Sequence, residues 1–151
     1  MPSAVVSKAS PVAKNSSTSQ NNSNYSLKLH WQWPTNGKVK LGFKKGDHTR
    51  KGVVLTGQLG QDIKAAEAGT VVYSGSGLIG YGKLLIIKHN KNYLSAYGHN
   101  KTLLVKEGDR VKKGAHIADM GTNGSGDVAL HFEIRRNGIP VDPLPLLPRR
   151  L

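Results

Sequence analysis

The 151-residue sequence has no cysteine, which excludes disulfides, thiolate zinc sites and a lipid-bearing cysteine within it. Acids are scarce. Nine Asp and Glu stand against 22 Lys and Arg, a formal charge of +13, and this imbalance favours anionic partners without naming one. Aromatics make up only 6% of the chain. They are not interleaved with basic residues as a single-stranded nucleic-acid groove requires, and no basic recognition helix is legible, so no specific nucleic-acid partner is expected. No run approaches the roughly 18 to 20 apolar residues of a membrane-crossing helix, and the first residues lack the apolar stretch of a secretory signal. The expectation is a soluble chain with no transmembrane segment.

Residues 1–24, MPSAVVSKASPVAKNSSTSQNNSN, contain neither an acid nor an aromatic residue and bury too little apolar surface to offset the entropy of ordering. The expected organisation is a disordered tail or linker over 1–26 and one folded domain over 27–151.

What is present after residue 27 is short apolar alternation broken by Gly, Asn and Asp. The runs are VKLGF (39–43), GTVVYSG (69–75), KLLIIKH (83–89), YLSAYGH (93–99), AHIADMG (115–121) and VALHFEIR (128–135). Strands at this spacing predict an all-β domain, an antiparallel sheet of sandwich-like form. Asn90, Lys91 and Asn92 mark a hairpin whose asparagines can take positive φ. The one segment with helical character is a short stretch near Asp62 to Ala68. GQDIKAAEAGTV (60–71) and GDRVKKGAHIADMG (108–121) echo one another weakly, as two β-turn-β units built alike would. Pro143, Pro145 and Pro148 rule out a central strand at the end of the chain and predict an extended cover over the sheet.

In VALHFEIR, Leu130, Phe132 and Ile134 alternate with Ala129, His131, Glu133 and Arg135. The period of two sends the first set to the core and His131 to the opposite face. From the residues alone, His131 could be a metal ligand, a general base or an ordinary exposed histidine.

WQWPTNGKV (31–39), KAAEAGTVVYSG, GYGKLLIIKHNKNYLSAYGHN, VKKGAHIADMGTNG and LHFEIRRNGIPVDPLPLLP, in that order, resemble the LytM or lysostaphin-like zinc metallopeptidases of bacterial cell-wall metabolism. Within that family they are most similar to the NlpD and EnvC class of murein hydrolase activators. The resemblance covers about four fifths of the chain and implies the fold called a duplicated hybrid motif. It also implies where chemistry would sit. Active members carry H-x-x-x-D, a histidine after Tyr-Gly, and H-x-H on the last strand; zinc is held by the first His, the Asp and the final His, and the other two histidines move protons. Here those positions carry Arg50, Val54, His99, Ala129 and His131. Arg50 stays protonated, Val54 and Ala129 have no lone pair, and a catalytic zinc needs three protein ligands with an open position. His48 does not restore the motif, because Gly52 stands four residues after it.

The resemblance therefore implies a catalytically degenerate domain in which Ala129 and His99 are remnant catalytic positions and His131 is a remnant zinc ligand. No metal and no cofactor are expected. Arg50, Val54, His99, His131 and Glu133 would line a partner-binding cleft, with Arg50 gripping a carboxylate; in a bland alternative His99 and His131 only hydrogen-bond each other or a water. The implied partner is an N-acetylmuramoyl-L-alanine amidase, activated during cell division in the periplasm or cell envelope, with outer-membrane anchoring supplied by the full-length protein. Peptidoglycan is the other implied partner. The competing reading is a non-catalytic peptidoglycan-binding module, and a more distant one is an active zinc endopeptidase.

Overall fold

The computed structural model of the protein describes residues 29–150; the tail expected over 1–26 lies outside them. Ten strands form one antiparallel system: β1 (Val39–Leu41), β2 (Val53–Thr56), β3 (Asp62–Lys64), β4 (Gly69–Gly75), β5 (Lys83–Lys88), β6 (Tyr93–Leu103), β7 (Arg110–Val111), β8 (His116–Met120), β9 (Ala129–Arg136) and β10 (Ile139–Val141). The main order is β1-β2-β9-β6-β5-β4-β7. The fold class is all-β and antiparallel, as the alternation indicates. Among the described residues no helix is long and apolar enough to cross a membrane.

β9 is the pivot. Its 129–132 half pairs with β2 and its 134–136 end with β10, both along one edge, while β6 pairs along the other. Phe132 and Ile134 from β9 join Leu55, Leu85, Ile87, Tyr97, Ile117 and Met120 in one buried cluster. β6 runs on past β9: a register shift between Asn100 and Thr102 lets its far end pair with β8, which carries β3.

Three local expectations are revised. The segment Asp62 to Ala68 is not helical, although its alanines and Glu67 suit a helix. Asp62–Lys64 is a strand, and the Ala65 amide donates to Ala115 O while its carbonyl accepts from Gly114 N. The echoing segments 60–71 and 108–121 form two strand-turn-strand units, β3 with β4 and β7 with β8, which pair with each other through β3–β8 and β4–β7. At the hairpin, Asn90 and Asn92 do not take positive φ. Instead the Asn90 side-chain oxygen accepts from the amides of Asn92 and Tyr93 at 2.8 and 2.9 Å, which closes the turn from the side chain. The C-terminal cover is not extended throughout. It turns through a 3-10 helix at Leu144–Leu146, buries Leu147, and Trp33 Nε1 donates to Pro148 O at 2.7 Å.

A polar chain crosses the interior beside this core. His89 Nδ1 lies 2.7 Å from Ala68 O, His89 Nε2 2.7 Å from Ser95 Oγ, Ser95 Oγ 2.7 Å from Tyr97 Oη, and the Ala66 amide donates to Tyr97 Oη at 2.9 Å. The ends fix the protons. Ala68 O only accepts, so Nδ1 carries the hydrogen; the neutral ring then accepts from Ser95, and Ser95 accepts from Tyr97. Protonating His89 would make Nε2 a donor to Ser95 Oγ and leave one hydroxyl hydrogen of the Ser95–Tyr97 pair without its acceptor in this chain. Burial, the largest influence, accordingly lowers the His89 pKa from 6.5. For a base depressed in the folded state, protonation favours the unfolded chain, so the stability is full above about pH 6.5 and declines as pH falls below it. The urea midpoint should drop between pH 7 and pH 5, and His89→Gln should flatten that slope at lower overall stability. Equal slopes in both proteins would contradict this assignment.

Candidate functional site

Cross-strand register assembles the cleft. Val54 of β2 and Gly98 of β6 are the Cα partners of His131 on β9, one on each side, so positions far apart in sequence meet across three adjacent strands. Gly98 shares the face of His131, and regular alternation would send His99 to the other face. His99 instead adopts φ +65°, a conformation rare for a residue with a Cβ. Its amide donates to Tyr81 O at 2.8 Å and its carbonyl accepts from Gly121 N at 3.0 Å. This held turn brings the ring into the cleft, 6.3 Å from the His131 ring between centroids. Burial, followed by repulsion from His131, lowers the His99 pKa.

Under His131 lies a buried carboxylate. Glu133 is 0% exposed, although β-strand alternation assigns it to the polar face with His131. Its Oε2 accepts from His131 Nε2 at 2.7 Å and from the Tyr81 hydroxyl at 2.8 Å, and its Oε1 accepts from Arg135 Nε at 2.7 Å. Arg135 also donates through Nη2 to Tyr81 Oη at 3.1 Å. Burial alone would raise the Glu133 pKa, but the hydrogen bonds and charges of His131 and Arg135 prevail and hold it at about 2. Burial and the neighbouring Glu133 push Tyr81 up to about 12. The carboxylate orients His131 through Nε2 and leaves Nδ1 as the ring nitrogen for any further contact. The His99–His131 hydrogen bond of the bland alternative is not formed; Glu133 takes that role.

The cleft encloses about 390 Å³, and its walls include Val54, His99, Ala129, His131 and Glu133. Arg50 is not among them. Its neighbours Thr49 and Lys51 reach the cleft, but Arg50 Nε donates to Gly42 O at 3.0 Å and its backbone bonds to Lys44 and Asp47, so the side chain braces the 42–50 loop. Residues unassigned from the sequence complete the site. His48 and Tyr81 line it, and Ile79, 97% exposed, stands at its lip. The clue to that lip was its composition, SGSGLIGYG (74–82): two aliphatics and a tyrosine flanked by glycines rather than by the alternation of a strand.

Residues 48–143 match the sequence model of Peptidase family M23. The chain belongs to this family. Over 120 residues it is 58% identical to the lipoprotein NlpD/LppB homolog of Pseudomonas aeruginosa, covering 80% of this chain and 40% of that one. Over 120 residues it is 52% identical to the murein hydrolase activator NlpD of Escherichia coli, covering 80% and 32%. The chain thus spans well under half the length of these relatives. It also matches the solved structure of lysostaphin, an antimicrobial peptidase of Staphylococcus simulans, with a TM-score of 0.67 at 29% identity, over 77% of this chain and 53% of that one.

The residues around His131 do not fit the zinc ion that the peptidase resemblance implies. His131 supplies one imidazole nitrogen, while its neighbours Val54 and Ala129 supply no donor, against the three protein ligands of a catalytic zinc. Among the described residues the group of three metal-binding side chains close enough to share an ion is Asp62, His116 and Asp119. It lies on the β3–β8 ribbon, which contributes nothing to the cleft. His116 Nε2 there is 2.7 Å from Asp119 and 3.4 Å from Asp62, a polar surface cluster.

Proposed function

We propose that this domain is a non-catalytic activator of peptidoglycan N-acetylmuramoyl-L-alanine amidases, acting in the bacterial cell envelope during daughter-cell separation. The observation that carries this reading is an M23 cleft built around one oriented histidine, His131 on Glu133, with Val54 and Ala129 beside it. Without three ligands placed to share an ion, the cleft has no means of activating water as a zinc peptidase does. An open cleft of this size does have room for part of another protein. The 52% identity to a protein named a murein hydrolase activator supports the choice of partner, and the lipoprotein name of the Pseudomonas relative supports the envelope.

An activator of this kind works by binding the active amidase conformation more tightly than the inhibited one, since equal affinity would shift nothing. In this reading Val54, His99, His131 and Glu133 form the receiving surface. Arg50 acts from its margin, holding the 42–50 loop through Nε and leaving its terminal nitrogens for a carboxylate. The decisive experiment measures dye release from labelled sacculi by candidate amidases with and without this chain. Release should require both proteins together. Release by the chain alone, abolished by a chelator, would make it an enzyme and defeat the proposal.

Metal content provides an independent check. After dialysis, elemental analysis should find no stoichiometric zinc, and His131→Ala should change nothing in that measurement. One tightly held zinc per chain, lost in His131→Ala, would overturn the non-catalytic reading. The formal charge of +13 keeps a second reading in view, a module that binds the carboxylates of peptidoglycan. Sedimentation with sacculi, without any effect on amidases, is its signature.

A further inference from the structure

Between the 43–51 loop and β10 lies a second groove, of about 650 Å³. Phe43, Ile139 and Val141 give it an apolar lining, and Lys44, Lys45 and Lys51 add positive charge. The acids in its wall are already engaged. Asp47 Oδ1 accepts from the amide and hydroxyl of Thr49, and Asp142 Oδ1 accepts from the Leu144 amide. Among the described residues the ion pairs of lysines are Lys40–Asp127, Lys106–Asp109 and Lys113–Glu67, so none of the groove's three is neutralised within 4.0 Å. Ile139 is 65% exposed beside them.

The free edge of β10 does not invite strand addition. Asn137 and Gly138, at φ +53° and +82°, make a two-residue turn that joins Arg136 to Ile139. In that register alternate residues bond to β9, and the residue whose backbone faces outward is Pro140, which has no N–H to offer. Recognition in the groove therefore falls to side chains. His48 and Lys51 line both the groove and the cleft, so one bound segment can occupy the two in continuity.

We infer that this groove receives an acidic, apolar segment of the amidase, with carboxylates against Lys44, Lys45 and Lys51 and aliphatic or aromatic side chains against Phe43 and Ile139. The inference rests on the activator reading above and gives the partner segment its chemistry. The chain's own N-terminal residues are excluded as occupant because positions 1–24 contain no acid. A second copy brings the same net charge of +13, which opposes self-association through a basic groove.

The test measures amidase binding by calorimetry, and dye release from sacculi, for the wild-type chain, for Lys44→Glu with Lys45→Glu, and for Ile139→Asp. Lys88→Glu with Lys91→Glu, at exposed positions away from the groove, controls for general charge. Both groove variants should bind about tenfold or more weakly with unchanged thermal midpoints, while the control stays within about twofold. If the wild-type chain neither binds nor activates any amidase, the activator reading fails and the groove assignment falls with it. If the wild-type chain activates and the groove variants match the control, the groove assignment alone fails. Loss of binding to phosphatidylglycerol vesicles with amidase binding retained would also overturn it, assigning the groove to a membrane surface.

Discussion

Truncating Glu133 to alanine is expected to lower the stability of the domain by roughly 3 kcal/mol, the scale seen when one member of a buried ion pair is removed. The carboxylate is fully buried and accepts from His131, Tyr81 and Arg135 at once. Removing it leaves a partly buried guanidinium and a tyrosine hydroxyl without their acceptor, and a void beneath the cleft. Glu133→Gln should cost less, because its oxygen can still take Arg135 and a change of tautomer at His131 can meet the amide. The two variants also separate in acid. A carboxylate depressed to about 2 from 4.5 stabilises the fold above about pH 4.5, and that contribution is lost as pH falls toward 2. Wild-type protein should show this acid slope, and Glu133→Gln should lack it. Urea titrations at pH 7, 4.5 and 2.5 test both points; an unchanged midpoint in Glu133→Ala at pH 7 would mean the network contributes little.

Glu133 also shows where reading the sequence succeeds and where it stops. The alternation in VALHFEIR places Phe132 and Ile134 in the core and His131 over a cleft, because period two is a local property of a strand. Whether the other face meets water is not local. Glu133 is covered by Tyr81, 52 positions upstream, and no pattern within β9 encodes that. Arg50 is a similar case: alignment fixes its position on the chain, but the Gly42 carbonyl eight residues earlier claims its Nε and sets the side chain at the margin of the cleft. Other features were within reach. Asn137-Gly138 between FEIRR and IPV carries the strongest short hairpin signal, although only three residues, Ile139–Val141, follow it as a strand before the proline-rich end. VVLT (53–56) is three apolar residues and a threonine after a glycine, and it becomes recognisable as a strand only because β9 and β1 flank it.

The second large effect is expected from a single methyl group. Gly52 is buried where the 42–52 loop enters β2, and a Cβ built there would lie 2.2 Å from Phe132 O, 2.9 Å from the Phe132 carbonyl carbon and 2.8 Å from Glu133 Cγ. Two of those atoms are backbone. β9 cannot retreat, because Phe132 is paired with Val53 on one side and Tyr97 on the other, and the interior is packed too closely to absorb a displacement. Gly52→Ala should therefore cost roughly 3 kcal/mol or more, a large share of the roughly 5 to 15 kcal/mol that holds a domain together. The same contact explains why shifting the zinc motif to begin at His48 gains nothing: the carboxylate would have to stand at position 52, where a methyl has no room. Gly42→Ala is the matched control, with nothing within 4 Å of its added Cβ, and should stay within about 0.5 kcal/mol. Chemical unfolding of the two variants reads the difference directly. If they prove equally stable, β2 and β9 can separate at low cost, and the cross-strand placement of Val54 against His131 is too soft to preorganise a cleft.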